Sequence, residues 1–322
     1  MGIYVEIRIR GTIAELVRRT QTPDLHARWD LRFTDIEYLP RPDEDEPQRF
    51  LYATRIGFGL AVRGTGETVG RHDADTGEQT SALKFYSDDA HSLIRQGAGY
   101  WRYVPTDDGV LFITYYDYRV RFGVLGRAFD ALVFRPLLGW ATAWSFDRLR
   151  LWIEKGIDPA LSLQRSLTHA IARAGLACVW LYQGIVPKLL AAHVDELALI
   201  QEAGISDRLA SLALQALGWS EVFFGIAMLC CFRQRWHFVL TLLLVGLATA
   251  DVALNSPRFL SAAFNPVSLN VLMATLALIG WNASRDLPSP NRCRRTPAKR
   301  GVSRKGAEDA KEVTEKKCTS NP

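Results

Sequence analysis

SLALQALGWSEVFFGIAMLCCF, residues 211–232, is an apolar run of membrane-spanning length broken by one charged side chain, Glu221. At 1.5 Å per residue, about 20 apolar residues cross the roughly 30 Å of a bilayer's hydrocarbon core. Three further runs of this kind stand at 170–191, 237–255 and 267–284. One alone could be a buried helix of a soluble protein. Four in succession, with short connections, predict an all-α four-helix transmembrane bundle over 170–284. Between the first two runs, HVDELALIQEAGI (193–205) is amphipathic and is expected to lie at the membrane surface.

The positions of the basic residues predict an orientation. Arg165 and Arg173 accompany the first run, Arg233 and Arg235 separate the second from the third, and a basic cluster from Arg285 to Lys305 follows the fourth. The alternate connections carry Asp195, Glu196, Glu202, Asp207 and Arg208, and then only Arg258. Cytoplasmic flanks are the ones enriched in Lys and Arg, so a multi-pass protein of the cell membrane with both termini cytoplasmic is expected. The net charge of +5 sits largely in that tail. A basic run directly after an apolar helix reads as a membrane flank, and no nucleic-acid partner is expected. Residues 285–322 combine Pro, Ser, Lys, Arg and Glu with few large apolar side chains, which predicts a disordered basic tail.

Residues 1–156 follow other periods. IYVEIRIR (3–10) alternates apolar and charged side chains as a half-buried strand does. A short helix at 12–20 is followed by strand-like runs at 30–38, 49–56, 58–69, 79–87, 92–104 and 109–121. Turn-forming stretches such as PRPDEDEP (40–47) and PTDDG (105–109) separate them. From Gly123 to Gly156, Phe129, Leu132, Val133, Leu137, Trp140, Trp144 and Trp152 recur at three- and four-residue steps, one long helix bent at Pro136. A bent antiparallel sheet around one long helix is an α+β helix-grip domain. Gly156-Ile157-Asp158-Pro159 reads as its stop, and 157–169 as a linker.

Such a domain encloses an apolar cavity. Trp29, Tyr52, Tyr86, Trp101, Tyr116, Tyr118, Trp140 and Trp144 are the candidate ligand-binding residues, with Phe58, Phe85 and Tyr103 beside them. The same aromatics would serve equally well as core. His26, Arg55, Arg102, Asp117, Arg119 and Arg121 are candidate polar anchors, and strand alternation puts Asp117, Arg119 and Arg121 on the face opposite Tyr116 and Tyr118. The scattered histidines form no metal-ligand spacing, and G-x-S-x-G, Walker A and dinucleotide-binding motifs are absent. No metal, cofactor or catalytic residue is expected. Cys178, Cys230, Cys231, Cys293 and Cys318 make no CxxC.

Within the apolar runs the polar residues are Gln183, Lys188, Glu221, Asp251, Asn255 and Asn270. Ionised groups in hydrocarbon are costly unless paired or hydrated. Lys188, Glu221, Asp251 and Asn270, with Gln183 nearby, are therefore expected to converge in one polar network, with Lys188 the partner of Glu221. Separate interfacial side chains are the alternative.

GAGYWRYVPTDDGVLFITYYDYRVRFG (97–123) followed by FRPLLGWATAWSFDRLRLW (134–152) resembles bacterial members of the START/polyketide-cyclase-like superfamily, also called SRPBCC. That resemblance implies the helix-grip fold; the superfamily includes lipid carriers, cyclases and hydroxylases. WLYQGIVPKLL (180–190), GWSEVFFG (218–225), DVALNSP (251–257) and FNPVSLN (264–270) resemble the DoxX-like membrane family, which carries over Lys188, Glu221, Pro257 and Asn270 as family features. Relatives in that family act in membrane-associated thiol, sulfur or quinone redox complexes, but this chain has no paired-cysteine or haem-ligand pattern. The expected function is a membrane-tethered accessory or binding protein whose partners are an apolar or amphipathic small molecule and membrane lipid. The alternative is a quinone- or thiol-linked subunit of a membrane redox complex.

Overall fold

The computed structural model describes residues 2–297 apart from Pro42, Glu44, Asp45, Phe58 and Phe264; the candidate Phe58 and the tail from residue 298 lie outside the described residues. Among the described residues two units form: 2–162 together with 288–297, and Leu163–Leu287.

The first unit runs β1 (Ile3–Ile9), α1 (Ile13–Gln21), α2 (Pro23–Trp29), β2 (Asp35–Tyr38), β3 (Arg49–Gly57), β4 (Leu60–Asp73), β5 (Gln79–Tyr86), β6 (Ile94–Thr106) and β7 (Gly109–Val120). Thr12 starts α1 by accepting a hydrogen bond from the Glu15 amide, and Pro23, with its pre-set φ, opens α2. The strands form one antiparallel sheet in the order β1-β7-β6-β5-β4-β3-β2. Register shifts at Arg55/Gly57, Thr68/Gly70 and Ile94/Gln96 bend it.

The chain then enters α3 (Gly123–Phe129), a π-helical turn at Asp130–Phe134, and α4 (Arg135–Lys155), which ends at Gly156 with φ +66°. The expected long helix is present. Its irregularity is one wide turn just before Pro136, where the ring would crowd the preceding turn and no N–H is available. Ala143, Phe146 and Leu149 of α4 pack on Val5, Ile7, Trp101 and Phe112 of the concave sheet face. Phe112 and Phe146 stack with ring centroids 4.5 Å apart. This is the helix-grip fold.

The concave face is filled unevenly. On β1, β6 and β7 its side chains are buried, whereas on β3, β4 and β5 they are mostly half-buried. Gly64, Gly66 and Gly97 lie under the rings of Tyr52, Phe50 and Phe85, where a Cβ would come within 2.3, 2.1 and 2.3 Å of those rings. Glycine is what lets each ring lie flat against the neighbouring strand.

Two expectations are corrected. Residues 159–169 are not a linker: α5 (Pro159–Gln183) begins at Pro159, which suits a first helical position, and no breaker follows before Gly175. Nor is the whole of 285–297 loose. Pro290–Arg292 form a 3-10 turn, and Arg294 makes a bridge to Glu6 of β1, held by specific contacts despite its polar composition.

In the second unit α5 leads into a π-helical segment, Gly184–Leu190, followed by α6 (Val194–Glu202), α7 (Asp207–Cys230), α8 (Trp236–Asn255), a 3-10 turn at Pro257–Ser261, and α9 (Pro266–Ala283). Among the described residues, four helices are long and apolar enough to cross a membrane: Pro159–Leu190, Asp207–Cys230, Trp236–Asn255 and Pro266–Ala283. Leu176, Trp180, Met228, Phe238, Val245 and Met273 pack inside, while Leu212, Phe223, Leu247 and Leu272 face outward. An outward apolar belt is stable only against lipid.

Candidate functional site

In the first unit, α2 and the turn after it carry a charged group into the interior. Arg148 of α4 donates from Nη1 to Trp29 O at 3.2 Å and from Nη2 to Arg28 O at 3.0 Å. The Leu31 amide donates to Ser145 Oγ at 2.9 Å, so α4 fixes this turn. There Arg32 donates to Asp30 from Nε at 2.9 Å and from Nη2 at 2.6 Å, a bidentate pair. His26 Nε2 lies 3.1 Å from the same carboxylate. Burial would raise the Asp30 pKa, but Arg32 and His26 outweigh it and hold the carboxyl below the usual carboxylate range. Burial lowers the proton affinity of His26, partly opposed by Asp30.

Aromatic rings enclose this group. His26 stacks on Trp29 (5.2 Å) and meets Trp101 (4.9 Å) and Phe33 (5.1 Å) edge-on, and Phe33 meets Tyr52 at 5.6 Å. The Arg32 guanidinium lies 5.3 Å from the Tyr116 ring centroid. Thr142 gives its hydroxyl proton to Leu138 O, so Tyr116 donates to Thr142 Oγ1 at 2.7 Å. Further along, Tyr118 donates to Asp130 at 2.7 Å, and Arg135 closes on the same carboxylate at 2.9 Å. An open cleft of about 520 Å³ follows β5–β7, and Lys84, Tyr86, Asp117 and Arg119 in its lining stand on the face opposite Tyr116 and Tyr118.

Of the eight aromatics expected at a ligand site, Trp29, Trp101, Tyr116 and Tyr118 are buried on the concave face, and Tyr52 lies half-buried over Gly64. Burial pushes the Tyr52 phenol up to about 12. Tyr86 is exposed beside the cleft. Trp140 and Trp144 stack on each other at 6.2 Å, on a face of α4 away from Thr142 and Phe146, and take no part in the concave face. Among the candidate anchors only His26 is interior. Arg55 and Arg119 are exposed, Arg102 pairs with Glu78, and Arg121 donates to Asp89 O. Sequence reasoning missed Asp30, Arg32, Asp130, Arg135 and Thr142. The available signal was an Asp and an Arg two residues apart, immediately after a Trp at a helix end.

In the second unit Lys188 Nζ lies 3.2 Å from Glu221 Oε2 and 3.3 Å from Glu196 Oε2, and it also donates to Gln183 O at 3.4 Å. Pro187 within the π-helical segment turns Lys188 inward, to 6 % exposure. Gly184 and Gly218 let the two backbones approach beside the pair: a Cβ on Gly184 would stand 2.6 Å from Gly218 O. The expected Lys188–Glu221 pair forms. Asp251 instead accepts from Asn255 at 2.7 Å, and Asn270 donates to Thr249 at 3.1 Å, each a local partner that removes the need for the shared network. Glu196 takes their place. Arg173, read from sequence as a flank, is buried and donates to Met228 O (2.7 Å) and Cys231 O (3.2 Å) at the end of α7.

Residues 177–278 match the model of the DoxX-like family. The chain is 48% identical over 183 residues to an uncharacterized membrane protein, YndG, of Bacillus subtilis (strain 168), a match covering 56% of this chain and 68% of that one. Among solved structures, a STAR-related lipid transfer protein from Xanthomonas axonopodis shares 16% identity, with 47% of this chain and 85% of that chain covered and a TM-score of 0.37. The hypothetical protein jhp0584 of Helicobacter pylori shares 16% identity, with 48% and 88% covered and a TM-score of 0.37. By its relationship to the Bacillus protein, the chain belongs to the YndG family of membrane proteins, and its apolar helices carry a DoxX-like domain.

Proposed function

We propose that the protein binds an apolar or amphipathic small molecule in the concave face of its first unit, in a binding or accessory role, while the DoxX-like spans hold it at a reservoir of membrane lipid. The observation that carries this reading is the uneven filling of that face. α4 packs on β1 and α2 on β2, but Phe50, Tyr52, Leu83 and Phe85 on β3 and β5 stay only half-buried. Apolar surface left in water costs about 25 cal/mol per Å², so an apolar guest that covers these rings is favoured. The basic flanks of the spans support a cytoplasmic position for this unit. The test uses the full chain in lipid nanodiscs, with native mass spectrometry and an environment-sensitive fatty-acid probe. Wild type is expected to hold the probe, and Leu83→Trp, which fills the face, is expected to lose it while keeping its circular-dichroism spectrum. A wild type that holds nothing, or a Leu83→Trp variant that binds equally well, would end the proposal.

A further inference from the structure

We infer that Lys188, Glu196 and Glu221 form a proton-binding site in the bundle, with α6 as its roof. The argument is a balance of charge. One ammonium, 6 % exposed, faces two carboxylates at 3.2 and 3.3 Å. With all three ionised the cluster carries one negative charge in excess, in surroundings where an unmatched charge is strongly unfavourable.

The neighbouring elements supply no second cation. On α6, Asp195 sits by His193 at 3.7 Å, and Glu202 is held by Arg258 at 2.6 Å and by Ser256. On α7, Asp207 accepts from Gln201 at 3.0 Å, and Arg208 is exposed. On α8, Asp251 has Asn255. The balance is therefore made by a proton taken from water onto one carboxylate, with no other bond changed. Glu221 is that carboxylate. Its Oε2 is buried against the Lys188 ammonium, and its side chain is less exposed than that of Glu196 (12 % against 23 %), so ionisation costs it more. Protonated Glu221 leaves Lys188 and Glu196 as a neutral pair.

That pair is also an anchor of α6. The helix buries none of its own residues and is tied down near its start by Glu196 to Lys188 and at its end by Glu202 to Arg258. When Glu221 loses its proton it competes with Glu196 for Lys188, and the start of α6 loosens. Raising the pH opens the roof, and lowering it closes the roof.

The test is infrared difference spectroscopy and hydrogen exchange on the full chain in detergent micelles, between about pH 5 and pH 9. Wild type is expected to show a protonated-carboxyl band that fades as pH rises, with exchange of Val194–Glu202 speeding up several-fold over the same interval. Glu221→Gln should lack the band and show pH-independent exchange in α6; Glu196→Gln, which leaves Lys188 and Glu221 as a matched pair, should shift the fading of the band to lower pH. A band that survives in Glu221→Gln, or no such band in wild type at any pH, overturns the inference. Should Glu221→Gln fail to fold, Glu221→Asp decides: a shifted midpoint supports the site, and an unmoved one overturns it.

Discussion

Asp30 holds two interior groups together, since Arg32 and His26 both bond its carboxylate. Replacing it with Asn leaves a buried guanidinium without its counter-charge, which costs roughly 3–5 kcal/mol. The pH dependence has a defined sign. Asp30 is held below its ordinary 3.8, so its contribution is present above that value and lost as pH falls further. His26 is held below its ordinary 6.5, so its contribution too is present above that value and lost on acidification, starting earlier. Urea unfolding of wild type followed against pH should weaken in two stages, below 6.5 and then below 3.8, and Asp30→Asn should show a smaller second stage, since Glu15 and Asp89 are also held low. Glycines give a second comparison at this scale. A Cβ on Gly97 would meet Phe85 Cζ at 2.3 Å and Asp117 O at 2.7 Å, whereas one on Gly70 meets nothing within 4 Å. Gly97→Ala should lower stability by about 1–3 kcal/mol and Gly70→Ala should change it by less than about 0.5, both read from thermal unfolding.

At the scale of elements, Pro187 sets the position of Lys188. A regular α-helical turn would carry the lysine about 100° around the axis, away from Glu221. Pro187→Ala is therefore expected to keep the helix content while the Lys188–Glu221 coupling, measured by a double-mutant cycle on unfolding, falls from above about 1 kcal/mol to near zero. What could be read from sequence follows from where the physics is local. The strands were legible because Pro, Gly and Asp mark each turn, and the Lys188–Glu221 pair because an ion in hydrocarbon demands a partner. Glu196 was not legible: α6 reads as an ordinary surface helix, and nothing in its pattern says which span it reaches. Asp251 and Asn270 misled for a related reason, since an i+4 asparagine and a threonine on the facing helix satisfy each of them at short range. The interior Asp30–Arg32 pair looked like surface charge because burial is decided by the long-range packing of α4.

At the scale of the molecule, the first unit is built from both flanks of the spans. Ser289 donates its amide to Asp147 Oδ2 at 2.7 Å, and Arg150 also donates to Asp147 at 2.7 Å. Cys293 is buried in the sheet–helix core, and burial raises its thiol pKa, making it a poor nucleophile. Glu6 and Arg294 exchange both backbone hydrogen bonds at 2.9 Å. A strand edge on β1 is thereby covered by chain that lies beyond α9. This requires an even number of crossings between Glu6 and Arg294, as the four candidate spans supply. With the basic flanks cytoplasmic, a reporter after Pro322 should report the cytoplasm and one within 195–207 the opposite side. The contact itself can be tested covalently. Residues that exchange both backbone bonds stand about 5.5 Å apart at Cα, within the range a disulfide closes. Glu6→Cys with Arg294→Cys, oxidised in isolated membranes, should give a species of altered mobility on non-reducing gels that either single variant lacks. Failure to cross-link would mean that residues 288–294 leave the first unit when the spans are in lipid. The excised sheet and α4 without that segment should then be no less stable than the same fragment with residues 288–297 joined to it. If the cross-link forms, the fragment lacking the segment should unfold at lower temperature, because Asp147 has lost one of its donors and the core has lost Cys293.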